Sequence, residues 1–153
     1  DTLGLSMLTV AMNNKKPAGC TEATVFGPFY VEGAPKYQNG EDVANGASGQ
    51  PCVVRGTVRG LDGQPVPHAT IEVWQADADG RYASPADPNS SLRADNRFHG
   101  FGRTGTTPQG EFAFETIKPG RVTFRDGRLM APHILFWIVA RGINLGLVTR
   151  MYF

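Results

Sequence analysis

The chain has 153 residues, of which 41% are apolar and 19% charged, and its formal net charge is +1. This length fits one domain, which buries roughly two-thirds of the surface that the unfolded chain exposes. The small net charge argues against a nucleic-acid partner, and the composition argues against intrinsic disorder. The longest apolar run is far shorter than the ~20 residues that cross a bilayer, so we expect no membrane contact. Because the N-terminus shows no secretory signal pattern, a cytoplasmic location is expected.

The N-terminal part of the sequence predicts one helix followed by a long loop. The apolar residues near the start, ended by Pro17, predict a short amphipathic helix that forms an arm. From Gly27 to Gly49 the chain is rich in Gly, Pro and Asn, which predicts an ordered loop or a wrapping segment. We therefore assign residues 1–35 to an N-terminal arm and linker, and residues 36–153 to the folded domain.

Short strand patterns then follow at regular spacing, each rich in β-branched or aromatic residues and bounded by turn residues. The predicted strands are residues 52–59, 69–75, 101–104, 111–115, 134–140 and 147–153. The first two are expected to be antiparallel neighbours, because only a short turn separates them. The pattern predicts an all-β fold, a β-sandwich of about six to eight strands with a short N-terminal helical arm and long loops.

Three further features concern possible sites and the end of the chain. The polar stretch from Ala83 to Gly100 has neither strand nor helix pattern, and loops of that length are often functional. Cys20 and Cys52 show no CxxC spacing, so we expect buried free thiols and no structural zinc. The chain stops at Phe153 on an apolar strand without a polar tail, which is typical of a sequence cut before its natural terminus.

Tyr82 and His133 are the candidate metal ligands. Tyr82 follows a turn at the mouth of the long loop, and His133 begins an apolar strand. The ordinary pKa of tyrosine is about 10, but a ferric ion can displace the phenol proton. Either residue alone is more often structural, as a hydrogen-bonded tyrosine or histidine of the core. Positions 133 and 135 share a strand face, and Leu135 stands where a second histidine would complete a pair of imidazole ligands.

Four motifs follow one another in an order that is typical of one family: Gly27-Pro28-Phe29-Tyr30, Ile71-Glu72-Val73-Trp74-Gln75-Ala76-Asp77, Gly80-Arg81-Tyr82 and Thr116-Ile117-Lys118-Pro119-Gly120. Together they resemble the intradiol ring-cleavage dioxygenases over nearly all of residues 20–153. In that family a β-sandwich holds a non-haem ferric ion with two tyrosines and two histidines, and dioxygen cleaves a catechol between its hydroxylated carbons. The resemblance implies Fe(III) as cofactor, dioxygen as co-substrate and a small aromatic diol as substrate.

Carried over residue by residue, this resemblance implies half of an iron site. Family ligands fall on Tyr82 and His133, and the other two ligand positions are occupied by Val122 and Leu135. Neither an isopropyl nor an isobutyl side chain can donate an electron pair to a metal. The resemblance therefore implies that iron is held mainly by a partner chain.

The C-terminal half is similar to the α subunit of protocatechuate 3,4-dioxygenase, which lacks a working metal site and lines a cavity shared with an iron-bearing β subunit. This implies substrate contacts from Gly27, Pro28 and Arg141, with Arg141 also as a catalytic residue whose guanidinium orients a carboxylated substrate. A surface ion pair is the other interpretation of Arg141. The N-terminal part, with Leu5-Ser6-Met7-Leu8, is more similar to hydroxyquinol and catechol 1,2-dioxygenases, which are homodimers joined through N-terminal helices. The implied partner is a homologous β-type subunit or a second copy.

Three functions stay open on the sequence. The preferred one is a subunit of an intradiol dioxygenase that lines a shared active site. The second is a self-contained enzyme whose iron has further ligands, such as His99 or Tyr152. The third is a binding module that kept the sandwich without catalysis, since a fold alone does not fix a function.

Overall fold

The computed structural model describes residues 4–13, 17–124, 126–143 and 146–153. Within these ranges the chain forms one α-helix, six strands and a 3₁₀ turn at Ser90–Leu92. The helix is α1 (Leu5–Asn13), and the strands are β1 (Pro51–Thr57), β2 (Thr70–Gln75), β3 (Phe101–Gly105), β4 (Glu111–Ile117), β5 (His133–Val139) and β6 (Leu147–Tyr152).

The strands form two antiparallel sheets, one of four strands in the order β3-β2-β5-β6 and one of two strands, β1-β4. Along β4, Phe112 and Phe114 are buried while Glu111 and Glu115 are exposed, which is the alternation of a strand covered on one face. An apolar core joins the two sheets, and its buried strand residues are Val54, Ile71, Val73, Phe112, Phe114, Ile134 and Phe136. The all-β sandwich predicted from the sequence is confirmed.

One predicted pairing is wrong, because β1 and β2 are not neighbours. β1 pairs with β4, whereas β2 lies between β3 and β5 in the other sheet. The turn between them does fold back, and the Val66 N–H donates to the Val58 carbonyl over 2.9 Å. The ladder stops there, since Pro67 has no N–H to donate and His68 adopts a left-handed φ of 58° that redirects the chain. The chain then crosses from one sheet to the other.

Residues 22–37, called the strap below, cover the outer face of the four-stranded sheet. Near the start of the strap, the Thr24 N–H donates to the Val148 carbonyl of β6 over 2.8 Å. Near its end, the Tyr37 N–H donates to the Arg103 carbonyl of β3 over 2.9 Å. β3 and β6 are the two outer strands, so the strap pairs with both edges that would otherwise be open to another chain. This covering explains why β2 is buried along nearly its whole length. Residues 27–37 of the strap are the first part of the segment, residues 27–49, for which the sequence predicted an ordered loop or a wrapping segment.

The predicted N-terminal helix is present as α1, and several of its apolar residues are exposed. Leu5, Met7 and Leu8 are all exposed. The two cysteines are free, as predicted, but Cys20 and Cys52 are only partly buried, so the expectation of full burial is wrong. Among the helices in the described ranges, none has the length and apolar character that crossing a membrane requires.

Candidate functional site

Tyr82 is held just beyond the end of β2 by two aspartate-centred turns. The Asp77 carboxylate accepts the N–H of Arg81 over 2.9 Å, and the Asp87 carboxylate accepts the N–H of Tyr82 over 2.7 Å. Asp77 and Asp87 are themselves buried. These bonds turn the Tyr82 side chain inward, where it is 2% exposed and its ring lies 4.9 Å from the ring of Phe29 in the strap.

His133 is the first residue of β5, and its ring meets the tyrosine. The His133 Nδ1 lies 2.8 Å from the Ala131 carbonyl, which can only accept, so Nδ1 carries the proton and Nε2 carries a lone pair. The Tyr82 hydroxyl lies 3.4 Å from this Nε2 and donates to it at the long end of the hydrogen-bond range. The structure thus brings together the two residues that the sequence singled out as metal ligands.

Burial keeps both partners of this pair neutral. It raises the pKa of Tyr82 well above the ordinary value, against the opposing charge of Arg150 and with a smaller contribution from Asp87. Burial also lowers the pKa of His133, assisted by the charge of Arg150 and opposed by the hydrogen bond to Ala131. At neutral pH the pair is therefore a phenol that donates to a neutral imidazole.

Two glycines bring a second loop against the tyrosine loop. A Cβ on Gly120 would lie 2.3 Å from the Ala78 carbonyl oxygen, and one on Gly80 would lie 2.1 Å from the Arg121 carbonyl oxygen. The Gly120 N–H donates to the Asp77 carbonyl over 2.8 Å, which fixes the approach. The contact helps to position Val122, two residues after Gly120, in the apolar cluster around Tyr82.

The residues present do not fit a ferric ion within this chain. Val122 and Leu135, at 7% and 3% exposure, belong to the same apolar cluster as Tyr82 and supply no lone pair. The one lone pair that His133 offers accepts the hydrogen bond of the tyrosine. Across the described ranges, no three His, Cys, Asp or Glu side chains lie close enough to hold a metal ion.

An aromatic and acidic cluster fills the remainder of the face under the strap. The Phe26 ring lies 5.7 Å from the ring of Trp74 and 5.4 Å from that of Trp137. Glu72 is 4% exposed, and within the described chain its Oε1 has no hydrogen-bond partner. Burial raises the pKa of Glu72, against a hydrogen bond from Tyr30 and the charge of Arg103. Sequence reasoning missed this buried carboxyl, which lies on a strand that reads as apolar.

Of the three residues expected to bind substrate, Arg141 lies away from the tyrosine–histidine pair, whereas Gly27 and Pro28 are close to it in the strap. Gly27 and Pro28 lie in the strap next to Phe29, which touches Tyr82. Arg141 is exposed in the turn that follows β5, whereas His133 begins that strand. The six residue steps of β5, at about 3.3 Å each, separate its two ends by about 20 Å. If Arg141 binds substrate, the substrate therefore lies in a cavity away from His133 of the same chain.

The two further ligand candidates differ in their placement. Tyr152 pairs with His133 in the ladder between β5 and β6, and the two rings lie 5.8 Å apart. Its side chain is 57% exposed. His99 is exposed in the long loop before β3.

Sequence reasoning also missed Arg150 and Asp87. Arg150 lies opposite Leu135 in the ladder between β5 and β6, so its side chain is on the same sheet face. Its Nε is buried and has no hydrogen-bond partner within the described residues. The alternation along β6 could have placed Arg150 on the face of Tyr152, but only the register with β5 brings it to the site. Asp87 carried a weak signal, as an aspartate five residues after the tyrosine in a polar loop.

A cleft of about 290 Å³ opens beside the site. Phe29, Val122 and Asp87 are among the residues that line it. Its charged lining residues are Arg81 and Arg121 together with Asp79 and Asp87, and Arg81 forms an ion pair with Asp79. Two of its lining residues, Arg81 and Asp87, belong to the loop that holds Tyr82, which places the cleft beside that loop.

Comparisons with known proteins agree with these observations. A family model described as "Dioxygenase" matches residues 25–153. Hydroxyquinol 1,2-dioxygenase of Nocardioides simplex is 42% identical over an alignment of 165 positions that covers 99% of this chain and 54% of that protein. The protocatechuate 3,4-dioxygenase alpha chain of Pseudomonas putida is 43% identical over 108 residues, which is 70% of this chain and 51% of that one.

The fold has close counterparts among solved structures. The structure of hydroxyquinol 1,2-dioxygenase from Pseudomonas putida DLL-E4 superimposes with a TM-score of 0.83 at 30% identity, covering 99% of this chain and 55% of that chain. The present chain thus spans about half the length of these relatives.

Proposed function

Because the chain belongs to the intradiol ring-cleavage dioxygenases, we propose that it is an α-type component of such an enzyme and that a homologous chain holds the iron. Intradiol dioxygenases depend on ferric iron, which binds the catechol-type substrate and prepares it for attack by dioxygen. In this proposal the present chain supplies scaffold and cavity wall. The substrate is a small aromatic diol with a carboxylate, such as a protocatechuate-like molecule.

The observation that carries the proposal is the closed tyrosine–histidine pair. Tyr82 donates to the lone pair of His133 over 3.4 Å, and the neighbouring family ligand positions hold the buried side chains Val122 and Leu135. A metal would have to break this hydrogen bond and would then gain two protein ligands. The similarity to a protocatechuate 3,4-dioxygenase alpha chain points in the same direction.

The placement of Arg141 supports a site shared between chains. It is exposed at the end of β5 that lies about 20 Å from His133 by strand geometry. A guanidinium in that position is free to bind the carboxylate of a substrate held by a neighbouring chain. Gly27 and Pro28 lie in the strap on the site face, and we assign them to the wall of the same type of cavity.

Co-expression with an iron-bearing β-type intradiol dioxygenase chain tests the proposal. We expect a stable complex by size-exclusion chromatography, iron in proportion to the partner chain, and formation of a muconate-type product from protocatechuate. The present chain purified alone after iron supplementation should be colourless and free of iron. A chain that never associates with such a partner overturns the proposal.

Tyr82→Phe provides the matched control, because it removes the hydroxyl and keeps the ring. If the partner holds the iron, the complex with Tyr82→Phe retains its iron content and its visible charge-transfer band. If the present chain is a self-contained enzyme, the natural chain alone is coloured and the variant loses both colour and iron. Since Tyr152 lies beside His133, Tyr152→Phe tests whether it is a further ligand in that second case.

A further inference from the structure

We infer that Arg150 excludes metal ions from the Tyr82–His133 pair, so that this chain keeps a metal-free site even when the two missing ligands are restored. This inference deepens the proposed function, which leaves the iron to a partner chain. It assigns the exclusion to a residue outside the four ligand positions.

The strand register places Arg150 at the site. In the antiparallel ladder between β5 and β6, Leu135 faces Arg150 and His133 faces Tyr152. Directly opposed residues in such a ladder share a sheet face, with Cβ atoms about 5 Å apart. The side chain of Arg150 is therefore attached next to Leu135, which occupies one of the two family ligand positions that have lost their ligand.

The charge of Arg150 is not neutralised by the described part of the chain. The ion pairs found there join Arg81 to Asp79, Arg97 to Asp95 and Arg128 to Asp126. The Nε of Arg150 is buried and donates to no acceptor in the described residues. Arginine stays protonated in proteins, so a full positive charge remains on this face.

The field of this charge reaches both residues of the pair. His133 lies two residues before Leu135, the residue opposite Arg150, on the same face of β5, and the Tyr82 hydroxyl lies 3.4 Å from the His133 Nε2. Charges interact more strongly where protein displaces water. A ferric ion between Tyr82 and His133 would have to approach an unpaired cation in this environment, so restoring ligands alone does not create a metal site.

The test restores the missing ligands with and without the arginine. Val122→Tyr combined with Leu135→His supplies the family ligand set, and the same pair is then combined with Arg150→Met or with Arg150→Lys. Methionine keeps an unbranched apolar stem and removes the charge, whereas lysine keeps the charge. We expect iron binding to be roughly tenfold tighter or more, with a visible tyrosinate band, only when methionine is present. Equal iron affinity in the methionine and arginine backgrounds, whether both bind or neither does, overturns the inference.

A second arm keeps the test decisive if the buried Val122→Tyr and Leu135→His changes disturb folding. Arg150→Met and Arg150→Lys are made singly in the natural chain, and Co²⁺ is titrated while the His133 ring signals are followed by NMR. We expect Co²⁺ to broaden these signals at lower concentration in the methionine variant than in the natural chain or the lysine variant. Equal broadening in all three overturns the inference. The proposed function is decided separately, by the iron content of the natural chain with its partner.

Discussion

Replacing Asp87 by alanine removes two backbone hydrogen bonds at once. Its Oδ2 accepts the N–H of Tyr82 over 2.7 Å, and its Oδ1 accepts the N–H of Asn89 over 2.9 Å. The side chain is buried, since the residue is 5% exposed. A hydrogen bond to a charged group contributes about 1.5–3 kcal/mol, so Asp87→Ala should lower the free energy of unfolding by about 3 kcal/mol or more. Asp87→Asn, which keeps one acceptor oxygen, should cost about half as much.

Urea unfolding at fixed m-value measures both changes. Asp126 offers a matched control, because its Oδ1 accepts the N–H of Arg128 over 3.1 Å in a turn of the same kind that is exposed to solvent. Asp126→Ala should leave the midpoint nearly unchanged, since exposed charged contacts contribute little. A loss below about 1 kcal/mol for Asp87→Ala, or equal losses for alanine and asparagine, would refute the view that this carboxylate fixes the tyrosine loop.

Three other substitutions test the packing and the buried charge. Burial raises the pKa of Glu72 from its ordinary value of 4.5, so the folded state holds this proton more tightly than the unfolded state does. The natural chain therefore loses stability as the pH rises above 4.5. Because glutamine does not titrate, the Glu72→Gln variant should become more stable relative to the natural chain over the same pH range. Urea midpoints across pH check this, with Glu111→Gln, the same substitution at an exposed position, as the control. Gly120→Ala should lower the free energy of unfolding by about 1–3 kcal/mol, because the new Cβ would lie 2.3 Å from the Ala78 carbonyl oxygen. Gly105→Ala should lower it much less, because its nearest atom, the Ala69 carbonyl oxygen, is 4.0 Å away. Phe26→Ala should lower the free energy of unfolding by about 2 kcal/mol. It should also shift the tryptophan emission to the red, because it uncovers the indole rings of Trp74 and Trp137. Unchanged emission would contradict the covering role of the strap.

The strands and the tyrosine–histidine pair were predictable because their signals are local or carried by ordered motifs. The alternation of apolar and charged residues predicts β4, in which Phe112 and Phe114 are buried and the flanking glutamates are exposed. Tyr82 and His133 each stand at a strand boundary, where a side chain can turn inward. The motif order of the family then put the two residues in one site, although they are 51 positions apart.

The pairing of β1 with β4 and the role of Arg150 were not predictable from local patterns. A short turn suggested that β1 and β2 are neighbours, but sheet assignment depends on contacts between distant segments. Arg150 looks like a solvent-facing charge on a terminal strand, and the register between β5 and β6 is what aims it at Leu135. Arg141, Gly27 and Pro28 remain predictions, because their assigned roles require a second chain.

The strap has a consequence for synthesis of the chain on the ribosome. Its first anchor joins residues far apart in sequence, since the Thr149 hydroxyl donates to the Glu22 carbonyl across 127 positions. Thr24 likewise needs the carbonyl of Val148, so the early segment cannot dock until β6 has emerged. Until then Trp74 and its aromatic neighbours lack their cover. The strap precedes the strands that it covers, yet its first anchor forms only after β6 is made, so the aromatic face around Trp74 is incompletely covered in the nascent chain until then.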